Sequence, residues 1–227
     1  MDERLTKLLQ VVVDEYIATA EPVGSQHLVE RYKLEMSPAT VRNWFAELEE
    51  AGYLTQPHTS GGRIPTEEGF RLYTELFVRP RPATKREREF LERASLVARE
   101  DGRRLKSVAK ALAELSSQAT FVGLMEADTY YTGLTQLFSQ PEFKNWKQVV
   151  SLTEVLDHLD ETLDTLRRER YEEPRMMLGR ACPFGVICGT ILISIDDEVM
   201  GILGPLRMNY QHTFSLLLTA KQLLTVS

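Results

Sequence analysis

Ten residues constrain this chain more than any others: Pro57-His58-Thr59-Ser60-Gly61-Gly62-Arg63-Ile64-Pro65-Thr66. They follow a strongly signalled helix, Ser37 to Ala51, and lead into another that Thr66 can cap. Short extended pieces, Tyr53 to Gln56 and Arg63-Ile64, flank the Thr/Ser/Gly/Gly tip, so the segment reads as a hairpin between helices. Gly61 and Gly62 allow positive φ and close backbone approach, while His58, Thr59, Ser60 and Arg63 offer hydrogen-bond donors. No carboxylate occurs from Thr55 to Thr66, although residues 1–78 hold 7 Lys+Arg against 13 Asp+Glu. An acid-free window in acidic surroundings points to a local anionic target rather than a whole-domain field.

The flanking sequence supplies helices. Leu5, Leu8, Leu9, Val12, Val13, Tyr16 and Ile17 follow helical spacing, which predicts an amphipathic helix over about residues 3–19. Glu21-Pro22-Val23-Gly24 breaks it. Ser25 is then the expected N-cap of a short helix to Tyr32, with Leu28, Val29 and Tyr32 inward. Ser37 caps a third helix with Pro38 at its first position, where a missing N–H costs nothing, and Gly52 ends it. Val41, Phe45 and Leu48 form the buried stripe of this helix. Glu67 and Glu68 suit the positive first turn of the next one, whose Phe70, Tyr73, Leu76 and Phe77 are expected to pack inward. Helix, helix, turn, helix and hairpin is winged helix-turn-helix order. Arg79-Pro80-Arg81-Pro82 ends the region, since two such prolines cannot continue a helix.

Residues 79–110 reverse the charge balance, with 11 Lys+Arg against 5 Asp+Glu. We read 79–106 as a basic helical linker, either a solvated face or an added attraction for phosphates. From 107 to 227 the pattern is α+β: a β-rich run at Thr120 to Met125 and an amphipathic helix over Trp146 to Arg168. Strands follow at Arg175–Leu178, Val186–Ile195 and Val199–Leu203, the last two joined at Asp196-Asp197. Asn209 caps a terminal helix with Phe214, Leu217, Leu218, Leu223 and Leu224 inward.

With Val41, Phe45 and Leu48 buried, the third helix presents Ala39, Thr40, Arg42, Asn43, Trp44 and Glu47. Arginine can fork onto guanine and asparagine onto adenine in a major groove, and small Ser37, Ala39 and Thr40 permit close approach. Trp44 is the outlier on that face, packing under the wing or against a partner. Together with the hairpin donors, the candidate DNA-binding set is Ser25, Gln26, Ser37, Ala39, Thr40, Arg42, Asn43, His58, Thr59, Ser60 and Arg63.

Several strings then carry a family resemblance: Glu21-Pro22-Val23-Gly24-Ser25, Ser37-x-Ala39-Thr40-Val41-Arg42-Asn43, Leu48-Glu49-x-x-Gly52 and Gln56-Pro57-His58-Thr59-Ser60-x-Gly62-Arg63-Ile64-Pro65-Thr66. So do Gly133-Leu134, Pro141-Glu142-Phe143 and Gly201-Ile202-Leu203-Gly204-Pro205-x-Arg207-Met208-x-Tyr210. The chain resembles the HrcA family of bacterial heat-inducible transcription repressors. The resemblance implies an N-terminal winged helix-turn-helix over 1–78 and a shortened GAF-like domain over 107–227. It also implies that the inserted dimerisation domain and middle GAF-like strands are missing between Thr120–Met125 and Gly133-Leu134. Repression of chaperone operons through an inverted-repeat operator, a homodimer and contact with chaperonin are further implications.

Other chemistry finds little footing. There is no Ser/His/Asp order, phosphate-binding glycine loop or paired-carboxylate context, so we expect no enzyme and no cofactor. The four histidines show no metal-ligand spacing, and Cys182 and Cys188 in Cys-Pro-Phe-Gly-Val-Ile-Cys read as buried thiols before a disulfide or metal pair. Arg207 reads as an ion-pair partner before an anion ligand. No apolar run approaches the roughly 18 residues of a bilayer span, and no signal peptide opens the chain, which predicts a cytoplasmic protein. Two competitors stand beside the repressor: a winged-helix regulator of other genes, and a protein-interaction module that has lost DNA binding.

Overall fold

The structure is a computed structural model that describes residues 2–57, 61–97, 101–124, 128–144 and 159–225. The chain divides into two compact units, Met1–Val78 and Arg79–Ser227.

The first unit runs α1 (Glu3–Thr19), α2 (Ser25–Tyr32), α3 (Pro38–Glu50), β1 (Leu54–Thr55), β2 (Ile64–Pro65) and α4 (Glu67–Phe77). Its helix ends follow local chemistry. Ser37 Oγ accepts from Thr40 N with Pro38 in the first turn, and Thr66 Oγ1 accepts from Gly69 N. Gly52 takes φ +79 just past α3, a backbone state that glycine enters without strain. Leu9, Val12 and Val13 from α1, Leu28 from α2, Val41, Phe45 and Leu48 from α3, and Leu54 and Phe70 fill the core. Each such apolar side chain contributes about 1.5–3 kcal/mol on burial.

Two side chains depart from the periodicity, one of them for a polar reason. Tyr32 and Leu76, expected inside, are 37% and 38% exposed. Tyr32 lies outside the core because its hydroxyl donates to Glu15 Oε2 at 3.0 Å. Glu15 itself is 1% exposed and also meets His27 Nε2 at 2.7 Å and Arg31 Nε at 2.8 Å. Burial pushes this carboxyl up, but the His27 and Tyr32 hydrogen bonds and the Arg31 charge hold it below its ordinary value. On the preceding residue, Asp14 accepts from Tyr73 at 2.5 Å; there burial dominates and the carboxyl is raised.

The second unit contains α5 (Lys85–Leu96), α6 (Asp101–Ser116), β3 (Ala119–Gly123), β4 (Thr129–Thr132), α7 (Leu134–Phe138), α8 (Leu159–Arg168), β5 (Arg175–Leu178), β6 (Cys188–Ile195), β7 (Glu198–Pro205) and α9 (Tyr210–Thr225). Its sheet is wholly antiparallel, in the order β4-β3-β7-β6-β5. The hairpin between β6 and β7 pairs Ile195 with Glu198, leaving Asp196 (φ 52) and Asp197 as its turn. Almost every residue of the two central strands is buried, so both sheet faces are covered. On one face Gly189 leaves room for the ring of Tyr210, which is wholly buried and donates to Leu206 O at 2.8 Å. On the other, Phe121, Cys188, Leu192 and Leu203 join Leu137, Phe143, Leu163 and Phe184.

Three expectations change here. The edge strand β4 was not foreseen: Thr-Tyr-Tyr-Thr carries no apolar alternation, yet it pairs residue for residue with β3, Thr120 opposite Thr132 to Gly123 opposite Thr129. Residues 79–106 are part of the second unit rather than a free tether. Leu91 is fully buried, Thr84 and Glu87 form a capping box, and Glu87 Oε1 lies 2.7 Å from His212 Nε2. Arg79 N donates to Gln211 Oε1, and Gln211 Nε2 returns a bond to Arg79 O. In α9, Leu218 and Leu223 are only half-buried while Leu216 is fully inside. Asn209 does cap this helix, its Oδ1 accepting from His212 N at 3.0 Å. The Trp146–His158 part of the anticipated long helix lies outside the described residues.

Candidate nucleic-acid interface

The first unit gathers several of the singled-out side chains around one concavity of about 450 Å³, lined among others by Ser25, Gln26, Arg42, Gln56, Gly62 and Arg63. The elements explain the convergence. α3 supplies Arg42 on the flank of the stripe formed by Val41, Phe45 and Leu48, all three of which are buried as their spacing predicts. The turn before α2 comes alongside β2 because Val23 and Arg63 exchange both backbone hydrogen bonds, at 2.8 and 2.9 Å. Gly62 is required by that contact, since a Cβ there would overlap the Pro22-Val23 backbone. Its φ is not positive, so close approach rather than turn geometry accounts for this glycine.

Ser25 is not the cap of α2. Gly24 takes that position without a side-chain bond, and Ser25 is the first helical residue. The Ser25 hydroxyl accepts from Arg42 Nη1 at 3.4 Å instead. The leading N–H groups of α2 therefore lack a side-chain cap and lie beside an arginine, with no acidic residue in the first turn. Arg42 and Arg63 are the charged side chains among the described residues lining the concavity. Chemically, this wall offers guanidinium and amide donors, which suits phosphate oxygens or base-edge acceptors.

Ser37, Ala39, Thr40 and Asn43 are not among the residues lining the concavity; Ser37, Ala39 and Asn43 are exposed, as is Arg42, and Thr40 is half-buried. Ser37 Oγ and Thr40 Oγ1 lie 3.0 Å apart and serve the helix start. Gln26 is exposed but engaged with Glu30, its Nε2 donating at 2.9 Å. Trp44 is half-buried, with the Arg4 guanidinium 5.5 Å from its ring centroid, so a cation from α1 covers it within the unit. Arg63 differs most from its anticipated setting: its Nε donates to Glu49 Oε2 at 3.0 Å and its side chain is 19% exposed. His58, Thr59 and Ser60 lie outside the described residues. Sequence reasoning missed Glu49, and it missed Glu15 as the anchor of α2.

In the second unit, Arg207 forms an ion pair with Glu142 and donates to Gln140 Oε1 at 2.9 Å, bracing the loop around Phe143. Cys182 and Cys188 are free and buried; burial pushes the Cys182 thiol up to about 12 and raises Cys188 as well. No group of three or more metal-binding side chains occurs among the described residues. None of their helices is long and apolar enough to cross a membrane.

Comparison with known proteins places these features. A family model described as the HrcA protein C terminal domain matches residues 83–214, more than half of the chain. Heat-inducible transcription repressor HrcA of Pelotomaculum thermopropionicum is 42% identical over 123 residues, which is 54% of this chain and 35% of that protein. The namesake protein of Moorella thermoacetica is 50% identical over 93 residues, 41% of this chain and 27% of that one. These matches span about a third or less of each relative's length. A crystal structure described only as that of a hypothetical protein aligns over 99% of this chain and 96% of its own, with a TM-score of 0.78 at 17% identity. Shared fold at that distance says nothing of function, but the family match covers the second unit from its first helix into its last. By that match, the chain belongs to the HrcA family.

Proposed function

We propose that this chain is a sequence-specific DNA-binding transcription repressor whose first unit is a winged helix-turn-helix. In this reading α3 is the recognition helix, the β1–β2 hairpin is the wing, and the second unit is a GAF-like domain that pairs two copies. The observation that carries it is the wall of the concavity. Arg42 is exposed on the leading half of α3, beside the uncapped start of α2 and opposite the carboxylate-free hairpin. A helix entering a major groove would bring Arg42 and Asn43 to base edges, and Ser37 and the α2 amides to the flanking phosphates.

A homodimer would place two copies of α3 on an inverted repeat, with half-sites about one helical turn or a multiple apart. The name of the relatives, heat-inducible transcription repressor, suggests that the governed genes respond to heat, and chaperone operons are the targets we would test first. Such a protein works on DNA in the cytoplasm.

The test is fluorescence anisotropy with a duplex carrying the inverted repeat upstream of the source genome's chaperone operon, against a scrambled duplex. We expect clear discrimination, and a loss of about 1–3 kcal/mol for Arg42→Ala on the repeat alone. Equal affinity of the unaltered protein for both duplexes would refute the repressor function.

A further inference from the structure

An acidic residue on a DNA-facing helix is ordinarily a liability, because it repels phosphate. Glu49 lies seven residues after Arg42, on the same stripe of α3, and its side chain is 35% exposed. It is engaged through Arg63 Nε at 3.0 Å. Arg63 is a joint between three elements: its side chain reaches α3, its backbone lies at the start of β2, and its N–H and C=O both pair with Val23 ahead of α2. The neighbouring Gly62 packs so closely on Pro22-Val23 that any Cβ would force the two apart. A half-exposed pair of this kind adds little to stability. What it does fix is direction, since the carboxylate of α3 sets where the hairpin root, and with it the start of α2, meets the recognition helix.

We propose that Glu49 is a positioning residue for DNA recognition: acting through Arg63, it holds the hairpin and the α2 N-terminus in register with Arg42 on α3. Arg63 is then the joint of the reading head and not a phosphate ligand. This rests on the DNA-binding reading above. Simple electrostatics makes the opposite forecast. If Glu49 served only as a nearby negative charge, removing it would tighten DNA binding, and removing Arg63 would cost a phosphate contact.

The experiment measures affinity for the inverted-repeat and scrambled duplexes over a salt series, using the full chain, with thermal melting of each variant as a folding control. Glu49→Gln is expected to lower the ratio of specific to scrambled affinity by about tenfold or more, because misplaced donors lose geometry rather than charge. Glu49→Asp, which keeps the charge but withdraws the carboxylate by one methylene, is expected to fall in the same direction. Arg63→Gln should weaken specific binding with an unchanged salt slope, whereas loss of a phosphate contact would make the slope shallower by about 0.9. The exchange Glu49→Arg with Arg63→Glu should restore the ratio, although it puts an acid on the hairpin. An unchanged or raised ratio for Glu49→Gln, or a shallower slope for Arg63→Gln, overturns the proposal. If the unaltered protein discriminates and these variants behave so, only the positioning role fails; if it does not discriminate, the DNA reading falls and this inference with it.

Discussion

Helices α2 and α9 are held by opposite means. α2 buries one apolar side chain, Leu28, and is tied to α1 by three polar groups converging on Glu15. α9 buries nine of its sixteen residues, among them Tyr210, Phe214, Leu216 and Leu217, and its charged contacts, His212 with Glu87 and Lys221 with Glu172, lie around that packed face. Packing resists displacement in all directions and hardly responds to pH. A carboxylate node fixes one geometry and responds to anything that titrates it. In the unit carrying the proposed reading head, the placement of α2 is therefore largely electrostatic.

The sharpest way to break this contrast is to cut the packed side. Leu217→Ala should cost about 2–5 kcal/mol, read by calorimetry as a lowered melting transition of the second unit, because the vacated volume is fully enclosed. An effect below 1 kcal/mol would mean that α9 repacks freely. On the polar side, Glu15→Gln should destabilise the first unit by roughly 3 kcal/mol, since Glu15 is the shared acceptor of three donors. The sign of its pH dependence follows from its lowered pKa. The contribution is present above the ordinary value of 4.5 and disappears as pH falls through the still lower folded value. Asp14 is shifted upward and works in the other direction, so the comparison is between unaltered protein and Glu15→Gln across that window. Identical pH profiles for the two would remove Glu15 from the account. The smallest effect is local. Thr66→Ala removes both the cap of α4 and a 2.6 Å bond to Gly52 O, and should cost about 1 kcal/mol in urea unfolding.

The parts legible in the sequence were those decided within a few residues. Ser37-Pro38, Thr66 and Asn209 cap because each acceptor lies three residues before its donor, and Val41, Phe45 and Leu48 share a face by spacing alone. Asp196-Asp197 joins β6 to β7 for the same reason. Long-range partners left no local trace. Arg63 looked like a free hairpin cation because Glu49 is fourteen residues earlier, and residues 79–106 looked like a tether because Gln211 and His212 are more than a hundred residues away. Tyr32 has the spacing of a core residue, but its hydroxyl finds a buried carboxylate from another helix. Among the described residues β4 is an edge strand paired with β3 alone, so nothing demanded an alternating pattern. Of the candidate site, the residue types were readable, while the distinction between groups that face outward and groups that brace one another was not.

The two cysteines offer a consequence of a different kind. Both lie in the second unit, both are buried, and their raised pKa values leave almost no thiolate at neutral pH. An alkylating reagent therefore has nothing to attack until that unit opens. Since the first unit contains no cysteine, the rate of thiol modification with rising temperature is a built-in clock for opening of the second unit alone.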